Sequence, residues 1–264
     1  MVRKVKQGFT LVEVSLFLAV TGMLFIGIVA GVQGSLFNQR YNDSVQSFAE
    51  FLRTVYSQTS NVESTFTVGG GRSGKAIYGK LVVFGESRNI ERKPNIDKTI
   101  FSYTVVGDAD GDISSGNVIE ALAKAKINVF VEENGGYEFA GIYEPYFPRW
   151  SAGIETTAAP YTDFIGALLI VRHPNSGTVF TYVLEGETIE INQMRGEATA
   201  LPDPLNKDSL DRFSIKDVDF CVNPDPGRMN TARRDVRIVA GARNASGVEI
   251  IAQDDYSEMG NKCQ

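Results

Sequence analysis

Polar and apolar positions change their period twice along the chain. Residues 14–39 contain no charged side chain, and the apolar part of that run, 14–32, is 19 residues long. With Phe9, Leu11 and Val12 the stretch 9–32 reaches 24 residues. As a helix it rises about 36 Å, enough to cross a ~30 Å hydrocarbon core. It is too long for the ~7–15-residue apolar region of a secretory signal, and no small-x-small cleavage site ends it. From Ser35 onward the pattern becomes amphipathic. Phe37, Tyr41, Val45, Phe48, Leu52 and Val55 step by 4, 4, 3, 4 and 3, which lines one helix face, with Arg40, Asp43, Ser47, Glu50 and Arg53 away from it. The pattern predicts one helix over residues 9–58, with a membrane or filament-core half (9–34) and an amphipathic half (35–58) that packs on a globular domain (59–264).

Beyond Thr59 the period shortens to that of strands: β-branched and aromatic runs broken by Gly, Pro, Asn and Asp. Candidate strands are 76–84, 100–106, 127–132, 137–142, 164–172, 178–184, 215–222, 235–240 and 248–252. Hairpin turns are expected at 134–136 and 174–177. A short capped helix is expected at 115–124, and surface loops at 143–162, which holds the single Trp150, and at 201–211. The fold class is α+β: a long N-terminal helix on an antiparallel β-rich domain.

Composition narrows the chemistry. The chain has 264 residues, 43% hydrophobic and 22% charged, with net charge −6. These are globular values, and the sign argues against a nucleic-acid-coating protein. His173 is the only histidine, and Cys221 and Cys263 are the only cysteines. That inventory excludes a four-cysteine zinc site and any His-dependent nucleophilic centre that does not use His173. No enzyme is expected, and no cofactor. Arg3, Lys4 and Lys6 precede the apolar run, so the N-terminus stays cytoplasmic and the β-rich domain lies outside. Glu13 sits inside the apolar stretch, where a charge costs about 2.5–3.5 kcal/mol even on the lenient scale and so calls for a partner.

The segment Lys6-Gln7-Gly8-Phe9-Thr10-Leu11-Val12-Glu13-Val14 and the apolar run after it resemble the type IV pilin family, which includes the type II secretion pseudopilins. The resemblance covers about the first 40 residues. It implies a leader (1–8) removed after Gly8 by a prepilin peptidase, N-methylation of Phe9, storage of the helix in the inner membrane, and extraction by an assembly platform into a filament of pilin subunits. It makes Glu13 an assembly residue whose carboxylate meets the Phe9 amine of its own or a neighbouring subunit; a Glu that snorkels to the interface is the alternative. Cleavage takes the net charge from −6 to −9 and leaves 256 residues. That size favours a minor subunit over a major one, with a secretion pseudopilin, or a pilus-borne adhesin or DNA-uptake module, as alternatives. Glycines 22, 27, 31 and 34 lie in the helix, with 27 and 31 in GxxxG spacing; a helix-weakening proline common in pilins is replaced here by Ala30.

Other motifs carry two readings each. Cys221 and Cys263 either form a disulfide closing the C-terminus, as the resemblance implies and a ~4 kcal/mol loop-closure stabilisation would reward, or remain thiols. Residues 69–75 satisfy GxxxxGK, but Ala76 replaces the magnesium-binding Ser/Thr and a strand pattern follows, so a linker is expected. Asp108, Asp110 and Asp112 alternate as calcium ligands do, yet no matching Glu follows, and a solvated turn is the alternative. Arg228, Arg233, Arg234, Arg237 and Arg243 cluster around a terminal hairpin. They offer either a nucleic-acid contact or, as expected here, a solvated strand face that pairs with acidic surfaces.

Overall fold

The computed structural model describes residues 10–61, 75–84, 100–108, 118–129, 143–149, 152–155, 165–173, 176–186, 210–223 and 234–251. The chain divides into two units, Met1–Asn42 and Asp43–Gln264. A single helix, α1 (Leu11–Ser60), begins in the first and ends in the second.

Ten strands, one further α-helix and a 3-10 turn (Ala245–Gly247) complete the described elements: β1 (Lys75–Val83), β2 (Ile100–Asp108), α2 (Val118–Lys124), β3 (Asn128–Val129), β4 (Tyr143–Tyr146), β5 (Gly153–Glu155), β6 (Ile165–Arg172), β7 (Val179–Glu185), β8 (Val218–Asn223), β9 (Arg234–Ile238) and β10 (Val248–Ile251). All pairings among the described strands are antiparallel. One sheet has the order β3-β2-β1-β6-β7, with β4 also on β2; the second has the order β10-β9-β8-β5.

Alternation along the first sheet buries both of its faces. Leu81, Val83, Tyr103, Val105, Leu169 and Val171 form one core with Leu122 of α2, Leu210 and Phe213. The opposite face, with Leu168, Ile170 and Thr181, is also buried and receives the amphipathic half of α1. There Tyr56 Oη lies 2.6 Å from Thr181 Oγ1, which in turn donates to Ala242 O at 3.0 Å. Phe48, fully buried, meets Phe220 of β8 edge-on at 5.5 Å and Tyr146 of β4 at 5.9 Å. The helix therefore touches both sheets. Arg53 adds a fastening, pairing with Glu50 at 2.8 Å and donating to Val248 O at 3.0 Å.

Local chemistry explains the irregularities. The register of β1 shifts between Ile77 and Gly79. A Cβ at Gly79 would lie 2.0 Å from Ile170 O, so only glycine fits this close approach. The helix α2 ends in a Schellman turn: Ile127 N–H bonds Leu122 O and Lys126 N–H bonds Ala123 O, with Lys126 left-handed at φ 47°.

The predicted 9–58 helix is observed as Leu11–Ser60, and its apolar face is buried from Tyr41 through Val55. The strands expected near 76, 100, 164, 178, 215, 235 and 248 all form. The 143–162 loop is corrected: Tyr143–Tyr146 and Gly153–Glu155 are strands. Prolines suggested a loop, but Pro145 opposes Phe101 on the outer side of β2, where a strand tolerates a missing donor. Residues 130–132, the strand expected at 137–142, the turn at 134–136, and 201–209 lie outside the described residues.

Candidate functional site

The chemistry-bearing feature of the first unit is the exposed half of α1. Every described large hydrophobic side chain from Leu11 to Leu36 is exposed, including Phe17, Leu24, Phe25 and Ile26. A helix with apolar groups on all sides and no packing partner in its own unit is long and apolar enough to cross a membrane. Two of its hydroxyl groups are satisfied on its own backbone. Ser15 Oγ donates to Val12 O at 2.9 Å and Thr21 Oγ1 to Phe17 O at 2.6 Å; such internal bonds suit a helix surrounded by lipid. A Cβ at Gly22, Gly27, Gly31 or Gly34 would meet open space, so these glycines leave shallow grooves where another helix can approach closely.

At the start of this helix Thr10 and Glu13 form a reciprocal cap. Thr10 N–H and Oγ1–H both donate to Glu13 Oε2 at 2.9 Å, and Glu13 N–H donates to Thr10 Oγ1 at 3.3 Å. This is the capping box, which satisfies two of the helix's orphan donors. Thr10 is the functional neighbour that the charge argument missed, although Thr-x-x-Glu before an apolar run signals it. Among the described residues, the bonds to the carboxylate are the two from Thr10, both to Oε2, which leaves the second oxygen for a further donor. Gly8 and Phe9 lie outside the described residues.

The remaining candidates disperse. Asp108 ends β2, where its carbonyl accepts from Tyr78 Oη at 2.8 Å; Asp110 and Asp112 lie outside the described residues. Among the described residues no three His, Cys, Asp or Glu side chains gather as a metal would require. Residues 69–74 lie outside the described residues; Lys75 opens a strand, so β structure rather than a helix follows them. Cys221 is buried in β8 and disulfide-bonded; Cys263 lies outside the described residues.

Of the arginines, Arg237 Nε donates to Asp219 Oδ1 at 2.6 Å across the β8–β9 pair. That bond, together with the charges of Asp219, Asp217 and Asp235, holds its guanidinium above the ordinary arginine range. Arg237 is thereby committed to an internal carboxylate. Arg243 is exposed, Arg234 opens β9, and Arg228 and Arg233 lie outside the described residues. Among the described arginines, Arg237 is thus engaged with a carboxylate within the sheet rather than held out to solvent.

Comparison with family models, with curated proteins and with solved structures finds no match to this chain.

Proposed function

We propose that this chain is a type IV pilin-like filament subunit: a non-enzymatic, membrane-stored precursor cleaved after Gly8, methylated at Phe9 and polymerised through α1. The observation that carries this reading is one continuous helix with two unlike halves. Its first half exposes apolar side chains on every side, while its second is buried by a two-sheet domain. A helix that water does not tolerate needs lipid before assembly and other subunits after it. The open oxygen of the Glu13 carboxylate supports a role in register, because a slipped neighbour would leave Glu13 and a Phe9 amine as two unpaired charges. The size of the mature chain favours a minor subunit or a secretion pseudopilin. The internal pairing of Arg237 argues against the nucleic-acid reading.

The test is intact mass and N-terminal sequencing of protein from sheared filaments and from membranes. A chain starting at N-methyl-Phe9 in filaments is expected, in trace amount for a minor subunit. Processed chain confined to membranes would favour the pseudopilin, and a chain still starting at Met1 in both fractions refutes the reading. Two variants separate the roles of Glu13. Glu13→Gln keeps an acceptor for the Thr10 cap but loses the charge, so it should retain the helix and lose filaments. Thr10→Ala keeps the charge and removes the side-chain half of the cap, so it should still assemble.

A further inference from the structure

We propose that Asn244 is a modification site: its Nδ2 takes an N-linked glycan from a polyprenyl-phosphate-linked sugar once the β-rich domain lies outside the membrane. This inference rests on the reading of α1 as a membrane helix with that domain on the non-cytoplasmic side.

The sequence supplies two acceptor triplets, and the fold treats them differently. Asn-x-Ser or Asn-x-Thr, with x other than Pro, is the pattern on which asparagine is glycosylated, and it suits surface loops of exported proteins. The chain has it twice, at Asn42-Asp43-Ser44 and Asn244-Ala245-Ser246. The first lies inside α1, with Asn42 half-buried and Ser44 buried. Its hydroxyl is spent on Arg149 O at 2.8 Å. Presenting this triplet to an enzyme would break the helix and strand that carbonyl. The second triplet leads into the 3-10 turn between β9 and β10, and both Asn244 and Ser246 are exposed.

The turn is fastened below the triplet rather than through it. Ala242 is buried, and its carbonyl accepts from Thr181 Oγ1 at 3.0 Å. Gly247 approaches it so closely that a Cβ there would lie 2.4 Å from Ala242 Cβ. Between these two fixed points, Asn244 Oδ1 accepts from the Ser246 N–H at 3.0 Å and from the Ser246 hydroxyl at 2.5 Å. Both side-chain bonds fall on the oxygen, so among the described residues Nδ2 is left to solvent. One further bond, Gly247 N–H to Asn244 O at 3.1 Å, closes the turn. Three short local bonds are all that an enzyme must open to take the triplet into its own site. In the transfer, a new bond forms between Nδ2 and C1 of the sugar, and the bond from C1 to the lipid phosphate breaks. The phosphate leaves with that bond's electron pair, and Nδ2 gives up one proton. The donor is a lipid, which places the transferase at the membrane where this subunit is stored.

The experiment takes the full chain from its own cells and reads peptides covering both triplets by mass spectrometry with electron-transfer fragmentation. Sugar on Asn244 and none on Asn42 is the expected result. Asn244→Asp keeps an oxygen for both Ser246 bonds but has no Nδ2, so it should fold and lose the sugar. Ser246→Ala should lose it too, whereas Ser246→Thr keeps the hydroxyl and should retain it. An unmodified Asn244, or sugar that persists in Asn244→Asp, overturns the proposal, and sugar on Asn42 overturns the argument from presentation. Protease added to spheroplasts separates this outcome from failure of the underlying reading. A digested domain with Asn244 unmodified overturns the glycan alone; a protected domain overturns the outside placement and the glycan with it.

Discussion

The buried bond between Tyr56 and Thr181 makes a prediction whose sign depends on background. Thr181 spends its one hydroxyl proton on Ala242 O, so Tyr56 must be the donor in the 2.6 Å contact. Tyr56 is fully buried and Thr181 nearly so. Tyr56→Phe removes one hydrogen bond but leaves Thr181 bonded to Ala242, so it should cost about 1 kcal/mol. Thr181→Val strands two buried groups, the Tyr56 hydroxyl and the Ala242 carbonyl, and should cost about 2–3 kcal/mol. In the Thr181→Val background the Tyr56 hydroxyl has lost its acceptor, so Tyr56→Phe should there be neutral or stabilising. The double variant should then be no less stable than Thr181→Val alone. Urea unfolding of the four proteins in detergent, followed by circular dichroism, gives the cycle. Equal costs of Tyr56→Phe in both backgrounds would refute the chain of bonds that pins α1 to β7 and to the β9–β10 connection.

Three further outcomes follow from the same packing. Burial pushes the Tyr56 phenol up to about 12. Below the unfolded value of ~10 it is neutral in both states; above that the unfolded chain ionises first, so up to ~2.7 kcal/mol of stability is lost as pH rises from about 10 to 12. Alkaline denaturation should be shallower in Tyr56→Phe, while Tyr78, Tyr146 and Tyr182, also shifted upward by burial, preserve part of the slope. Gly79→Ala places a methyl group 2.0 Å from Ile170 O and should destabilise by more than ~3 kcal/mol, read as lost folded yield or a collapsed melting temperature. Lys126→Gly removes a left-handed non-glycine residue at φ 47° and should stabilise by up to ~1 kcal/mol, or about 2–4 °C in melting temperature.

The long helix was legible from residue order alone. Twenty-six consecutive uncharged residues and a 4-4-3-4-3 spacing after them leave few other structures that bury the second face and shield the first from water. Most strands were legible for a similar reason, because local alternation and turn residues depend only on neighbours in the chain. Glu13 was conspicuous because a charge in an apolar run is expensive wherever the run is placed. Tertiary structure decided what depends on distant partners. Residues 143–149 read as loop, yet β2 offers Tyr143–Tyr146 a pairing edge that tolerates Pro145. Arg237 read as one of five like charges, yet the β8–β9 register sets it opposite Asp219. The bond from Tyr56 to Thr181 joins residues 125 positions apart. No local pattern specifies such a contact; it exists because two sheets and a helix must share one core, and buried polar groups survive there only where the fold brings them a partner.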